Sequence, residues 1–412
     1  MPEGGHPQGR LKVLLLAPNL NGDGLGEVYS IFQWTRALIE EVDLTVLALV
    51  GGQDLARQLP GAQVVMLREP RFLHDRFGRF NAMAKPWLPI YFAWARRWIR
   101  AAARRGEKFD IAHQILPQAM RYASPLPGLG LPYVIGPLGG SLETPEGFRD
   151  EVEAGGFKSR LRALDRPRLR YGRALRRGFV QADVILGVAP YIRETLEAAG
   201  IAPKRFVTML ERGHGGVMPK IERTSNAGQA HLLHVGRGVR TKGLRDVIRA
   251  LALLKDLPGV HLTSAGEGDE IAACRAEAGR LGVADRVTFL GRIPRPEVDA
   301  LYAKADIFCF PSFREPMGGV FFEAMAYGLP VITAARGGPD FIIDDSCGLK
   351  LIPETPDQFV NDIAGAIRTL AMDPARRHAL GAGAQARLAS FGDWSDKAKA
   401  LVTLYREAIN DA

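Results

Sequence analysis

Ten short apolar runs, closed by glycine, proline or polar turns and interspersed with stretches of helical spacing, set the strongest limit on how this chain folds. The first, LKVLLLAPNL at 11–20, is almost continuous in apolar side chains and ends in a Pro-Asn turn. A run of that length and character reads as a strand covered on both faces. NGDGLGE at 21–27 is the glycine loop that follows, VYSIFQWTRALIEE at 28–41 has helical spacing, and DLTVLALV at 43–50 is the next strand. Strand, loop, helix, strand is the rhythm of a parallel α/β domain.

The rhythm continues through FDIAHQI at 109–115, PYVIGPLGG at 132–140 and ADVILGVA at 182–189. A polar stretch, PKIERTSNAGQA at 219–230, reads as a linker. A second series follows: HLLHVGR at 231–237, VHLTSAGEG at 260–268, RVTFLGR at 286–292, ADIFCFPS at 305–312 and LPVITAARGG at 329–338. The 412 residues fit two domains. The expected division is a domain over 1–218, the linker, a second domain over 231–390 and a terminal helix over 391–412. Two doubly wound halves bind ligands at the carboxyl ends of their strands, which points to a cleft between the halves.

A composition of 47% hydrophobic and 24% charged residues suits a globular chain with ample core. The net charge of +9 points to anionic partners: phosphates, nucleic acid or an acidic membrane surface. Cys274, Cys309 and Cys347 are widely spaced and odd in number, which argues against a disulfide framework or a zinc site. No early apolar run is long enough for a signal peptide or a membrane span. The expected location is cytoplasmic, with peripheral contact at a membrane left open.

Two glycine loops follow strands. NGDGLGE carries Glu27 where GxGxxG needs its third glycine, and VGRGVR at 235–240 carries Arg240 there. Neither loop is a GxxxxGK[ST] phosphate loop. In VGRGVRTKG at 235–243, Arg237 and Lys242 lie just beyond a buried strand, where a planar fork and a mobile point charge can converge on one diphosphate.

The sharpest segment is REPMGGVFFEAMAYGLPV at 314–331. Glu315 falls in the loop after a strand, Gly318 and Gly319 start a helix, Glu323 lies about a turn inside it, and Gly328 closes it. The open amides around Gly318–Val320 carry the helix's positive end and suit a phosphate. Glu315 and Glu323 can accept hydrogen bonds from sugar and ribose hydroxyls.

This segment resembles the E-x7-E signature of the retaining glycosyltransferases with the GT-B fold, in family 4 (group 1). VGRGVRTKG resembles their diphosphate-binding loop, and the likeness covers about 230–390 strongly. The resemblance implies two Rossmann-like doubly wound domains facing across a cleft, with FGDWSDKAKALVTLYREAI at 391–409 as a helix crossing back to the first. It implies a sugar moved from a nucleotide-sugar donor to a hydroxyl acceptor on a glycan or lipid, with retention, in bacterial cell-surface or exopolysaccharide synthesis. Arg237 and Lys242 would hold the leaving diphosphate, and Glu315 the transferring sugar. Gly236 and the amides of Gly318, Gly319 and Val320 would serve phosphate and sugar, Glu323 the ribose, and Gly266 and Glu267 the base. The resemblance implies no cofactor and no metal requirement.

In the first half the family pattern D-x-x-H-x-H is met by DIAHQI, which makes His113 the candidate catalytic histidine and leaves Ile115 where the second would be. Gly24 and Gly26 take the place of the family's first glycine loop, and Gly139 and Gly140 are candidates on the acceptor side. KPWLPIYFAWARRWIRAAARR at 85–105 and KSRLRALDRPRLRYGRALRR at 158–177 mix arginines with aromatic residues, as an anionic membrane interface requires. The rival functions are a polyanion- or nucleic-acid-binding protein, a glycosidase, and a nucleotide-sugar epimerase or phosphorylase. The chain shows no nucleic-acid-reading module and no redox-cofactor fingerprint.

Overall fold

Val13, Leu14, Leu15 and Leu16, the centre of the first apolar run, are fully buried in the computed structural model of the chain. The structure describes residues 9–24, 26–50, 54–68, 87–153, 165–215, 218–221, 223 and 226–412. Contacts divide these into two units. The first holds the described residues of Met1–Ser141, Leu164–Gly213 and Gly392–Ala412, and the second those of Leu142–Ala163 and His214–Phe391. The division differs from the sequence reading in that 142–153 and the described residues of 214–218, placed there in the first domain, and Phe391, placed with the terminal helix, all pack in the second unit.

The first unit contains a seven-stranded sheet with β1 (Lys12–Leu16), β2 (Asp43–Val50), β3 (Gln63–Arg68), β4 (Ile111–Gln114), β5 (Tyr133–Leu138), β6 (Val184–Gly187) and β7 (Phe206–Thr208). Its order is β3-β2-β1-β4-β5-β6-β7, with every neighbouring pair parallel. The second unit contains β8 (Gln229–Val235), β9 (Gly259–Ala265), β10 (Val287–Gly291), β11 (Ile307–Phe310), β12 (Val331–Ala334) and β13 (Gly348–Leu351). That sheet runs β10-β9-β8-β11-β12-β13, again all parallel. Both are doubly wound α/β sheets, as the alternation of strand and helix signals requires.

The ten runs all carry strands. β3, β7 and β13 were not among them. All three are edge strands; β7 and β13 are short and mixed in sequence, and β3, though it holds VVML at 64–67, has none of residues 63–67 buried. β8 begins at Gln229, inside the expected linker.

The helix Trp394–Asn410 belongs to the first unit, where Ala398, Leu401 and Tyr405 join Val13, Leu15 and Trp34 in one core. Each fully buried leucine of such a core contributes about 1.5–3 kcal/mol. A capping box between Asp393 and Asp396 starts this helix. The three cysteines are free and buried.

The helix Leu88–Arg104 buries Leu88, Tyr91, Ala95, Ile99 and Ala102 and leaves Arg97, Arg100 and Arg104 exposed. The helix Arg173–Gln181 likewise buries Leu175 and Phe179 beneath exposed arginines. Residues 85–86 and 158–164 of the two basic stretches lie outside the described residues. Among the described residues no helix is long and apolar enough to cross a membrane.

Candidate functional site

In the second sheet β8 and β11 are neighbours, and the chain leaves them towards opposite edges. A doubly wound sheet opens a crevice at that point, outside the carboxyl ends of the two strands. The loop carrying Arg237 and Lys242 follows β8, and the loop carrying Glu315 and Gly318 follows β11. The two motifs, over seventy residues apart in sequence, therefore rise side by side.

Close backbone approach locks the loops together. Gly243 has φ +79°, and a Cβ built there would lie 2.3 Å from the Pro311 carbonyl oxygen, so only glycine fits. Ser312 Oγ donates to the Thr241 carbonyl at 2.9 Å. On the other side, Gly236 N–H donates to the Ala265 carbonyl at 3.0 Å and Gly238 N–H to the Glu267 carbonyl at 2.7 Å. Gly236, Gly266 and Glu267 are thus brought together, with the Glu267 side chain exposed.

Lys242 ends the short 3-10 turn Arg240–Lys242, and its ammonium pairs with Glu315 Oε2. The two side chains are only 10% and 12% exposed, so the pair is poorly screened. The Glu315 carbonyl accepts from Gly338 N–H at 3.1 Å, which fixes the loop from the β12 side. His234, buried on β8, donates from Nε2 to the Lys242 carbonyl at 3.1 Å. Burial pushes its pKa down to about 4, so it supports the turn as a neutral ring. Arg237 is exposed and makes no ion pair or hydrogen bond through its side chain among the described residues.

Gly318 caps the helix Gly319–Ala326 with φ +89°, and no side chain caps that end. The amides of Gly319 and Val320 precede the first intrahelical partner and are open to a ligand. The helix's apolar character anchors it: Phe321, Phe322, Ala324 and Met325 are buried. Gly328 sits in the left-handed region just past its end, as expected. Glu323 already has protein partners: Arg295 at 2.9 Å and the Tyr302 hydroxyl at 3.1 Å. Arg295 also pairs with Asp299 at 2.9 Å. The sequence reading missed His234, Ser312, Arg295 and Tyr302, since none stands in a motif.

The first sheet reverses between β1 and β4. Gly24 lies in the loop after β1, and Gly26 precedes the helix Glu27–Glu41 with no side-chain cap. Gly139 N–H donates to the Gln118 carbonyl at 3.0 Å, and the Gly140 carbonyl accepts from the Tyr191 hydroxyl at 3.1 Å. Asn19 Oδ1, Gln114 Oε1 and Gln118 Nε2 are buried without a partner among the described residues. All three belong to segments at the carboxyl ends of β1 and β4.

His113 corrects an expectation. It is fully buried, with Nε2 2.7 Å from the Gly136 carbonyl and Nδ1 2.6 Å from the Tyr405 hydroxyl. A carbonyl only accepts, so Nε2 carries the proton and Nδ1 accepts from Tyr405. Burial pushes the ring's pKa down to about 4. Both nitrogens are committed inside the core, and His113 presents nothing to a substrate.

Residues 220–387 match the family described as glycosyl transferases group 1. The second unit is a group 1 glycosyltransferase domain. The glycogen synthase of Mycobacterium tuberculosis (strain CDC 1551 / Oshkosh) is 35% identical over 192 residues, 46% of this chain and 45% of that protein. The D-inositol 3-phosphate glycosyltransferase of Kribbella flavida is 37% identical over 144 residues, 35% and 33% of the two chains. The chain thus spans less than half the length of these curated relatives. The crystal structure of Anabaena HepE in complex with UDP-glucose superposes with a TM-score of 0.62 at 17% identity, covering 96% of this chain and 100% of that one. This likeness shows the GT-B fold across both units. Among the described residues no three metal-ligating side chains gather into a cation site.

Proposed function

We propose that the protein transfers a sugar from a nucleotide-sugar donor to a hydroxyl acceptor with retention of configuration. One observation carries the reading. Two cationic side chains, a carboxylate and an uncapped helix start belong to loops that leave neighbouring strands where the sheet order reverses. The leaving group of such a transfer is a diphosphate, whose charge grows as the C1–O bond breaks. Arg237, Lys242 and the Gly318–Val320 amides would neutralise that charge, with Glu315 holding the sugar and Glu323 the ribose. Gly266 and Glu267 would flank the base. The acceptor oxygen bonds to C1 as its proton passes to the departing phosphate, on the same face. These groups would supply the stabilisation without a metal or cofactor.

The ion pairs weigh against a glycosidase. Glu315 is held by Lys242 and Glu323 by Arg295, so neither is a free partner for the other. In the Anabaena structure the ligand is UDP-glucose, which makes uridine a first choice among donor bases. A thermal-shift screen of UDP-, GDP- and ADP-sugars tests the reading, since a ligand at 100 times its dissociation constant adds ~2.7 kcal/mol. No shift with any of them would refute it.

The acceptor side falls to the first unit, with Gly24, Gly26, Gly139 and Gly140 shaping it and the free amide groups of Asn19, Gln114 and Gln118 available to hydroxyls. The basic helices support a membrane-borne acceptor and a cytoplasmic, peripheral location in cell-surface or exopolysaccharide synthesis. A Cβ at Gly128 would lie 3.1 Å from Arg177 Nη2 and 3.9 Å from Arg96 Nη2, so arginines of both helices reach one loop.

A further inference from the structure

Three cations, Arg237, Arg240 and Lys242, crowd the loop after β8, yet one of them serves a different purpose. Arg240 is buried, and each of its three guanidinium nitrogens is engaged. Its Nη1 and Nη2 fork onto Asp246 at 2.6 and 2.8 Å, and its Nε donates to Glu151 at 2.6 Å. Asp246 is itself fully buried. The guanidinium lies 5.6 Å from the Phe148 ring centroid and 5.3 Å from that of Phe313. The two rings are 4.4 Å apart, and Phe148 also meets Phe359 edge-on at 5.8 Å.

Phe148 and Glu151 come from the segment between β5 and β6 that packs in the second unit. Arg240 stands two residues before Lys242, and Phe313 two residues before Glu315. The two loops that carry the Lys242–Glu315 pair are therefore joined behind it by one guanidinium and two aromatic rings. Glu151 closes the joint and extends it to Arg249 at 3.0 Å.

We infer that Phe148 and Glu151, acting through Arg240, are positioning residues for the ion pair of Lys242, proposed on the diphosphate, and Glu315, proposed on the sugar. The reasoning is geometric. A buried guanidinium with each nitrogen held by a carboxylate and aromatic rings beside it is not available to a phosphate. It can hold the turn that ends in Lys242 against the loop that ends in Glu315. Lys242 is a mobile point charge on a long stem, so the placing of its Cα sets where the ammonium reaches. The inference rests on the proposed phosphate role of Lys242.

Calorimetry on the full chain tests it, using UDP, GDP and ADP beside UMP, GMP and AMP. The variants are Phe148→Leu, which removes the ring, and Glu151→Gln, a partly exposed position that tolerates the change if the first variant fails to fold. Diphosphate affinity is expected to fall about tenfold in Phe148→Leu and about threefold in Glu151→Gln, the scale of one charge-assisted contact. Monophosphate affinity is expected to stay within about twofold, since base and ribose contacts are untouched. A lowered diphosphate-to-monophosphate ratio in either variant supports positioning. A ratio unchanged in both, or equal losses for both ligand classes, overturns it. Lys242→Ala serves as the reference. If that variant binds diphosphates like the wild type, or the wild type binds none, the phosphate site itself is wrong and the inference falls with it.

Discussion

The ammonium of Lys242 and the carboxylate of Glu315 form an ion pair at the carboxyl ends of β8 and β11, almost closed off from solvent. Opposite charges held this way are costly to separate and ready to be redistributed. In the proposed reaction a diphosphate beside Lys242 would share its charge and free Glu315 for a sugar hydroxyl.

Lys242→Ala is expected to lower kcat by about 10²–10³, the loss seen when a preorganised charge-stabilising donor is removed. Stranding Glu315 would also cost up to about 3 kcal/mol of stability. Steady-state kinetics at saturating donor, with a melting curve as control, separate the two effects. Turnover close to wild type would remove Lys242 from the chemistry.

Glu323→Ala is expected to weaken nucleotide binding about tenfold, through the loss of charge-assisted bonds to the ribose. Part of that gain is offset in the wild type, because Arg295 and Tyr302 already occupy the carboxylate. Calorimetry with the free nucleoside diphosphate reads the effect, and an unchanged affinity would take Glu323 out of the ribose site.

His113 and His234 predict an acid-sensitive fold. Burial holds both rings well below the ordinary value, at about 4. An unfolded histidine titrates near 6.5, so the unfolded chain takes up protons first as pH drops. The stabilisation is complete above about 6.5 and is lost as pH falls towards 4, about 2 kcal/mol for each ring by pH 5. Melting curves from pH 8 to 5 should show this decline, and His113→Gln should flatten it for the first unit. Turnover of His113→Gln at pH 7 should stay within about threefold of wild type, since the ring touches no ligand. A collapse of kcat in a fully folded His113→Gln would restore the histidine to the catalytic machinery.

The exposed arginines of the first unit predict salt-sensitive binding to anionic vesicles. Juxtamembrane basic residues contribute about 1 kcal/mol each, so replacing Arg97, Arg100, Arg173 and Arg177 by glutamine should cost at least tenfold in vesicle affinity. Co-sedimentation with phosphatidylglycerol vesicles measures it. Protein left in the supernatant at low salt would count against a membrane role.

The residues of the proposed phosphate site were legible in the chain. Arg237, Lys242, Glu315, Gly318 and Glu323 stand in two short stretches where residue type and local spacing are enough to mark a strand end, a glycine turn and a helix start. The ten apolar runs were legible for the same reason: a strand covered on both faces must be apolar along its length. β7 and β13 were not, because pairing at a sheet's rim places no such demand, and the apolar VVML of the edge strand β3 was not read as one.

Tertiary structure decided the partners. His113 reads as a strand-end histidine until Tyr405, 292 residues later, closes over it. Arg240 reads only as the residue that breaks a GxGxxG loop until Glu151, 89 residues earlier, and Phe148 pack against it. Burial, ion pairing and the shift of a titrating group depend on what surrounds a side chain on all sides. A linear sequence fixes the neighbours along the chain, whereas the neighbours across it exist only once the sheets have formed.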